Sequence, residues 1–448
     1  VRVPRSRWSG TGGGASRPAS PIVAGAALYR GAACGNTRPP GAVRAACQED
    51  AVRKVVACTL ALLVAAAVPL AAQTVEPQKS SRFRILRSIG GGQGKAIAGR
   101  LAYDSRDNFL FALPTAGGGG SAGTLLRLQP NGKRFTLLHR FDPAVAGPPV
   151  GQVAVHPSRS ELFGVTEDGG DAGHGAIFSV RPDGRDFTIL ASFGGRTGKR
   201  PRGSPVLSEN GKTLYGTTST GGRYGGGTLW RVGANGSSMT VLHDFGQRST
   251  DGATPVGGLV LSKDGKTLYG TTRRGGSAGL GTIFSIRTDG SRFTKLHDFQ
   301  GGKADGASPG SALIVSYRSE QMFGTTPSGG ANDLGVVFRI KEDGSGFTVL
   351  HQFRASSGSV PTGSVAQGFD GLTLYGTTSK GGDSDGGVLF QLRTNGSRYE
   401  VLKEFSAKSG NVPLDGPIVS ANGRRLYGAT SDAGEKGGGS IYVYDLFD

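Results

Sequence analysis

An all-β fold built from seven copies of one unit is predicted by three features of the sequence. The first is a phrase, Phe-Thr-x-Leu-His-x-Phe. It returns with variations from Phe83, Phe135, Phe187, Met239, Phe293, Phe347 and Tyr399, at intervals of 52 or 54 residues. A fixed period of that size marks a solenoid, a propeller or an array. The second is the content of each copy. Four short runs rich in Leu, Ile, Val, Thr, Phe and Tyr recur between turn residues, which is the pattern of strands. The third is a pair of Asx-Gly dipeptides in most copies, the strongest short hairpin signal.

The copy Thr254–Phe299 shows the unit best. Its runs are expected at 258–261, 267–272, 282–286 and 293–299, here called strands a, b, c and d. In the third run Thr282, Phe284 and Ile286 share one parity while Ser285 takes the other, the period-two alternation of a strand. No stretch carries a 3.6-residue apolar period, and Gly and Pro are too frequent for helix. Asp264-Gly265 separates a from b, and Asp289-Gly290 separates c from d. Both dipeptides are read as two-residue turns with positive φ at each residue. The unit is therefore a four-stranded antiparallel meander. Seven such units suit a seven-bladed β-propeller, which leaves only short, protected sheet edges. A β-solenoid is the alternative. The phase argues against it. The repeats open with a lone d-type strand at 82–89 and close on a c-type strand at 440–444, so the first strand is expected to complete the last blade and shut the ring.

Taken in order, the chain begins with residues 1–50, rich in Arg, Gly, Ala and Pro and without periodicity. They read as a disordered or mis-assigned N-terminal extension, and the first residue is Val. Residues 51–72 carry Arg53-Lys54, the apolar run Val55–Ala72 and a small-residue end. That reads as a secretory signal cut near Ala72, with a retained membrane anchor as the alternative. Cys34, Cys47 and Cys58 all precede that point. Residues 73–448 are assigned to the propeller and hold 42 Lys and Arg against 31 Asp and Glu, a net charge of +11. They carry no cysteine, so an exported protein of this kind rests on packing rather than disulfides. The blades are expected at about 99–141, 149–193, 202–245, 254–299, 308–353, 361–405 and 412–445. Pro149, Pro201, Pro255, Pro309, Pro361 and Pro413 each precede a strand a, where no ladder N–H is lost. The protein is expected to be secreted, extracellular or periplasmic, and monomeric, with no membrane span after cleavage.

The run Leu-Tyr-Gly-Thr-Thr-x-x-Gly-Gly at 214–222, 268–276 and 374–382, followed by Gly-Thr-Ile-Phe and Asp-Gly-x-x-Phe-Thr-x-Leu-His-x-Phe, resembles the GloVer tandem repeat of secreted bacterial proteins. The resemblance covers essentially all of 73–448. The layout is also similar to kelch repeats, without their Trp, and it lacks the Trp-Asp of WD40 repeats. What the resemblance implies is a repeat protein outside the cytoplasm. It implies no reaction.

The hairpins place the a–b and c–d turns on one face of the ring and the longer b–c and d–a loops on the other. Loops on a rigid scaffold carry binding, so the second face is the place to look. Its Gly-Gly pairs lack the helix N-terminus that phosphate binding needs and read as loop geometry. His139, His243, His297 and His351 hold one repeat position in separate blades, too far apart to share a metal, and read as partnered strand residues. Blade 2 departs most from the repeat. Its b–c loop holds Glu167, Asp168, Asp171 and His174, which as a cluster can bind a hard cation or serve as acid and base. A solvated polar loop is the plainer reading. Basic residues gather beside it: Arg196, Lys199, Arg200 and Arg202 in the loop to blade 3, then Arg223, Tyr224, Arg273 and Arg274 in the next b–c loops. Such a sector can grip a carboxylated or sulfated polymer through bidentate Arg contacts, or be ordinary surface charge.

The expected function is a binding module for an anionic polysaccharide or a cell-surface partner. A polysaccharide lyase or hydrolase using the blade 2 residues is the rival, and a structural envelope protein without a small ligand is the third reading. No nucleophile elbow, zinc motif or cofactor signature is present. Oxidases that need a cysteine-linked tyrosine are excluded for a cysteine-free mature chain. Quinoproteins are disfavoured by its single tryptophan, Trp230. Nucleic acid is not an expected partner of an exported chain.

Overall fold

The period-two runs form strands and the Asx-Gly pairs form the turns between them. In blade 4 the strands are Val260–Leu261, Thr267–Thr272, Thr282–Arg287 and Thr294–Asp298, paired antiparallel in the order a-b-c-d. The computed structural model describes residues 82–447. The expected N-terminal extension, 1–50, and the expected signal peptide, 51–72, fall outside the described residues. Seven four-stranded antiparallel sheets follow one another as the blades of a seven-bladed β-propeller. Among the described residues the only helical segments are two single 3-10 turns, Gly91–Gln93 and Ala355–Ser357.

Closure follows the phase of the repeat. Strand Phe83–Ser88 is the d strand of blade 7, paired with Ser440–Asp445 from Phe83↔Tyr444 to Ser88↔Ser440. Asp445 holds the junction further, 2.9 Å from Arg84 Nη2 and 2.7 Å from Arg425 Nε.

The turns differ from expectation. Gly290 has φ +92° and Gly265 φ +65°, but Asp289 and Asp264 do not take positive φ. The Gly290 N–H donates to Arg287 O at 2.8 Å, so Thr288 and Asp289 are the central turn residues and the glycine follows them. The aspartate has another task. Its Oδ1 accepts the N–H of Ser291, two residues on, at 2.8 Å. Asx residues favour turns through this bond without entering the left-handed region.

Each blade needs a small residue at the middle of strand b. A Cβ on Gly270 would press into the Phe284 ring of strand c, and the same holds for Gly216 under Trp230 and Gly376 under Phe390. Blade 1 resolves the conflict differently. It pairs Ala112 with Leu126, a larger strand-b residue facing a smaller strand-c one. Around these residues the core divides into seven buried clusters, one at each junction between neighbouring blades. A fully buried ring such as Phe284 contributes roughly 2–3 kcal/mol by leaving water.

A second set of contacts runs round the outer rim. The histidine of strand d stacks on the first aromatic of strand d in the next blade. His139 lies on Phe187 at 3.8 Å, His243 on Phe293 at 3.7 Å, His297 on Phe347 at 3.8 Å and His351 on Tyr399 at 3.7 Å. Where the position is basic, a cation replaces the imidazole. Arg87 sits 4.3 Å over Phe135, and Lys403 sits 5.2 Å over Phe83. The seventh junction, between blades 2 and 3, has Ala191 and Met239 instead, both packed on the apolar cluster there.

Candidate functional site

The loop-bearing face is stiffened by short ribbons. The d–a loop entering a blade pairs with that blade's own b–c loop. Gly252–Ala253 pairs with Arg274–Gly275, Gly306–Ala307 with Ser328–Gly329, and Lys95–Ile97 with Pro114–Ala116. In blade 3 the ribbon Lys199–Pro201 joins the long strand Thr213–Thr220. The residue before the strand-a proline takes left-handed φ in most blades, +56° at Arg200 and +57° at Thr254. That costs a non-glycine residue about 1 kcal/mol. A hydrogen bond to the preceding blade offsets it: Arg200 N–H donates to His174 O at 2.9 Å and Thr254 N–H to Gly226 O at 2.7 Å.

This frame fixes the arginines. Arg273 N–H donates to Thr254 O at 3.1 Å, and Arg274 O accepts from Thr272 Oγ1 at 2.9 Å. Arg200 O accepts from Ser219 Oγ at 3.0 Å. Arg200, Arg202, Arg273 and Arg274 therefore line one cavity of about 440 Å³ with Ser219, Thr220 and Ser308. Arg202 and Arg273 also line the central channel, a cavity of about 760 Å³, so the arginine cavity is its mouth.

The blade 2 carboxylates meet this group in part. Glu167 pairs with Arg202 through both guanidinium Nε, at 3.1 Å, and Nη2. Asp168 stands 3.9 Å from Arg200. Asp171 is exposed and its N–H donates to Ser192 Oγ; His174 contributes its backbone carbonyl to Arg200. Among the described residues no group of three or more His, Cys, Asp or Glu side chains is placed to hold a metal. Of the other basic candidates, Lys199 lies in the blade 3 ribbon, Arg196 is exposed at the preceding turn, and Arg223 packs over Tyr224 at 5.4 Å. None of these four lines the mouth or the channel. Among the described residues no carboxylate lies within 4 Å of the Arg273 or Arg274 guanidinium.

The channel wall is made by the residues leading into strand a. Here the blades touch backbone to backbone. A Cβ on Gly99 would collide with the Gly151 carbonyl, and one on Gly416 with the Ser364 carbonyl. Strand-b threonines tie the wall to the next blade. Thr271 Oγ1 donates to Ser311 O at 3.1 Å, Thr325 to Gly363 O at 2.8 Å and Thr377 to Asp415 O at 3.0 Å.

Two channel residues were not among those expected from sequence. Asp415 accepts Ser364 N–H at 3.0 Å and Gly416 N–H at 2.7 Å through Oδ1. Arg100 gives Nε at 3.0 Å and Nη2 at 2.5 Å to Pro417 O. Enclosure in the wall pushes the Asp415 carboxyl up, against the pull of Arg100 and the backbone N–H groups. The signal was in the repeat. At the ring position held by Gly99, Gly151, Gly203, Gly257, Ser311 and Gly363, the seventh blade has Asp415.

Among solved structures, the fold is similar to an oligogalacturonate lyase in complex with manganese, with 12% identity over 82% of this chain and 93% of that one and a TM-score of 0.55. An oligogalacturonate lyase from Vibrio parahaemolyticus matches at 11% identity, 82% and 94% coverage and TM-score 0.55. The GH74 xyloglucanase from Xanthomonas campestris matches at 13% identity, 82% and 54% coverage and TM-score 0.57. At these identities the likeness concerns the fold alone. No curated protein matches the chain. The profile of the Gloeobacter/Verrucomicrobia repeat matches residues 153–373 and 322–447, and the chain belongs to that repeat family.

Proposed function

We propose that this propeller is a binding module for acidic polysaccharide, acting outside the cytoplasm as a monomer, with its site at the channel mouth. One observation carries the reading. Arg273 and Arg274 are held at a rigid ribbon beside Arg200 and Arg202, and among the described residues no carboxylate pairs with either of them. Two guanidinium groups set in a concave polar site are suited to bidentate contacts with carboxylate or sulfate. Glu167 and Asp168 offset the charge on Arg202 and Arg200, which leaves blade 4 the stronger side of the mouth.

The test is retention of the purified protein on polygalacturonate, alginate, dextran sulfate and neutral dextran, with released products followed in the same samples. Retention on the acidic polymers that weakens with salt, and falls at least tenfold in Arg273→Ala/Arg274→Ala, is the expected result. Glu167→Gln frees Arg202 and is expected to tighten retention. Absence of retention at low salt would remove the reading. Product release that disappears in Glu167→Gln would replace the module with an enzyme.

A further inference from the structure

The channel behind the arginine mouth has two unlike walls. Blades 6, 7, 1 and 2 supply Ser364, Asp415, Arg100 and Gln152, while blades 4 and 5 supply Val256, Gly258, Ala312 and Leu313. The polar wall retains hydrogen-bonding capacity. A carboxylate has about four acceptor sites, and Asp415 accepts backbone N–H groups of Ser364 and Gly416 and faces that of Arg100, which leaves one site for a further donor. Arg100 commits Nε and Nη2 to one carbonyl and leaves Nη1, and the Gln152 amide has no partner among the described residues. Arg100 and Asp415 are close enough to feel each other's charge but are not within 4 Å as an ion pair.

Position in the repeat makes this wall hard to explain by packing. Asp415 stands where five blades have Gly and one has Ser. Arg100 stands where the others have Gln152, Ser204, Gly258, Ala312, Ser364 and Gly416. Both departures fall in adjacent blades and both open on the lumen. Such a pair suits a ligand that donates a hydroxyl to Asp415, accepts from Arg100 and Gln152 at a carboxylate or hydroxyl, and lays an apolar side on Val256 and Ala312. A sugar ring has that combination: a rim of hydroxyls and C–H faces. The cavity, about 760 Å³, lies within the range of roughly 300–1,000 Å³ found for small-molecule sites.

We propose that the channel is a subsite for the terminal sugar residue of an acidic oligosaccharide, entered past the arginine mouth, so that the protein recognises chain ends rather than internal stretches. The inference rests on the reading above and adds to it where the chain end goes. Its test titrates the protein with trigalacturonate and with polygalacturonate fractions of two defined lengths, reading affinity and the number of proteins bound per chain. Expected are a stoichiometry independent of chain length and at least tenfold weaker trimer binding in Arg100→Gln and in Asp415→Gly, with the melting temperature recorded for each. Gln152→Ala, which removes no side-chain hydrogen bond to a described residue, is expected to weaken the trimer several-fold with unchanged melting. Stoichiometry that grows with length, or trimer affinity unchanged in Arg100→Gln and Gln152→Ala, would overturn the channel subsite and leave the mouth standing. Failure of the wild type to bind trimer or polymer would overturn both.

Discussion

The outer rim and the inner wall come from the same seven repeats, yet they use them in opposite ways. On the rim one device recurs with little change. His139, His243, His297 and His351 stack on the next blade's ring, and Arg87 and Lys403 serve where the histidine is absent. On the inner wall, crowding keeps one position glycine in five blades and its neighbour mostly small, and the two charged departures, Asp415 and Arg100, fall in adjacent blades. A position whose side chain is repeated is explained by packing that every blade shares. A position where one blade departs from a crowded consensus needs a local reason.

The largest effect is expected from breaking the rim at its closing point. Deleting the chain up to residue 90 removes strand Phe83–Ser88 and the Phe83 ring under Lys403. The loss is on the order of 5 kcal/mol, seen as a lower urea midpoint, and a peptide of residues 82–90 added in trans is expected to restore part of it. Next is the wall. Gly416→Ala drives a methyl group into the Ser364 carbonyl, and a cost of about 4 kcal/mol or failure to fold is expected in circular dichroism melts. A wild-type melting curve from Gly416→Ala would mean the wall is looser than described.

The rim also predicts a pH effect. Burial, with the charge of Arg354, lowers His351 from 6.5 to about 4, and burial lowers His139 as well. Unfolded His351 binds a proton as pH falls through 6.5, while the folded residue resists until about 4. Stability is therefore complete above pH 6.5 and is lost as pH falls toward 4. The loss is on the order of 2 kcal/mol after allowance for partial solvent screening. Urea titrations at pH 7 and 4.5 measure it, and His351→Phe is expected to flatten the slope. The smallest effect sharpens the comparison. Ala191→His with Met239→Phe installs the missing stack between blades 2 and 3 and is expected to add about 1 kcal/mol in a urea midpoint.

The fold was legible because its determinants are local and repeated seven times. Asx-Gly pairs and alternating runs lie in short windows, and the regular period carries the phase from Phe83 to Ser440. The turn type was misread because Asp289 acts through its carboxylate rather than through its own φ. The arginine group was legible only in outline. Arg200, Arg202, Arg273 and Arg274 come together because the ribbons turn two successive b–c and d–a loops toward the axis, whereas Arg196 and Arg223 sit at loop tips. Nothing in the spacing separates the two groups. Arg100 and Asp415 lie more than 300 residues apart and meet only because the ring closes. The one available sign was Asp415 in a glycine column.

The pairing of Phe83–Ser88 with Ser440–Asp445 also sets an order of events. Arg84 and Asp445 are 361 residues apart, so their contact closes a loop spanning nearly the whole propeller. Blades 1 to 6 are each contiguous and can form as the chain emerges. Blade 7 cannot, because its outermost strand is made first and the strand it joins is made last. Ring closure is then the late, slow step of folding. Until it happens, Ser440–Asp445 presents an open edge to any other chain, and a nascent propeller halted short of its final strand is the species most exposed to strand exchange with its neighbours.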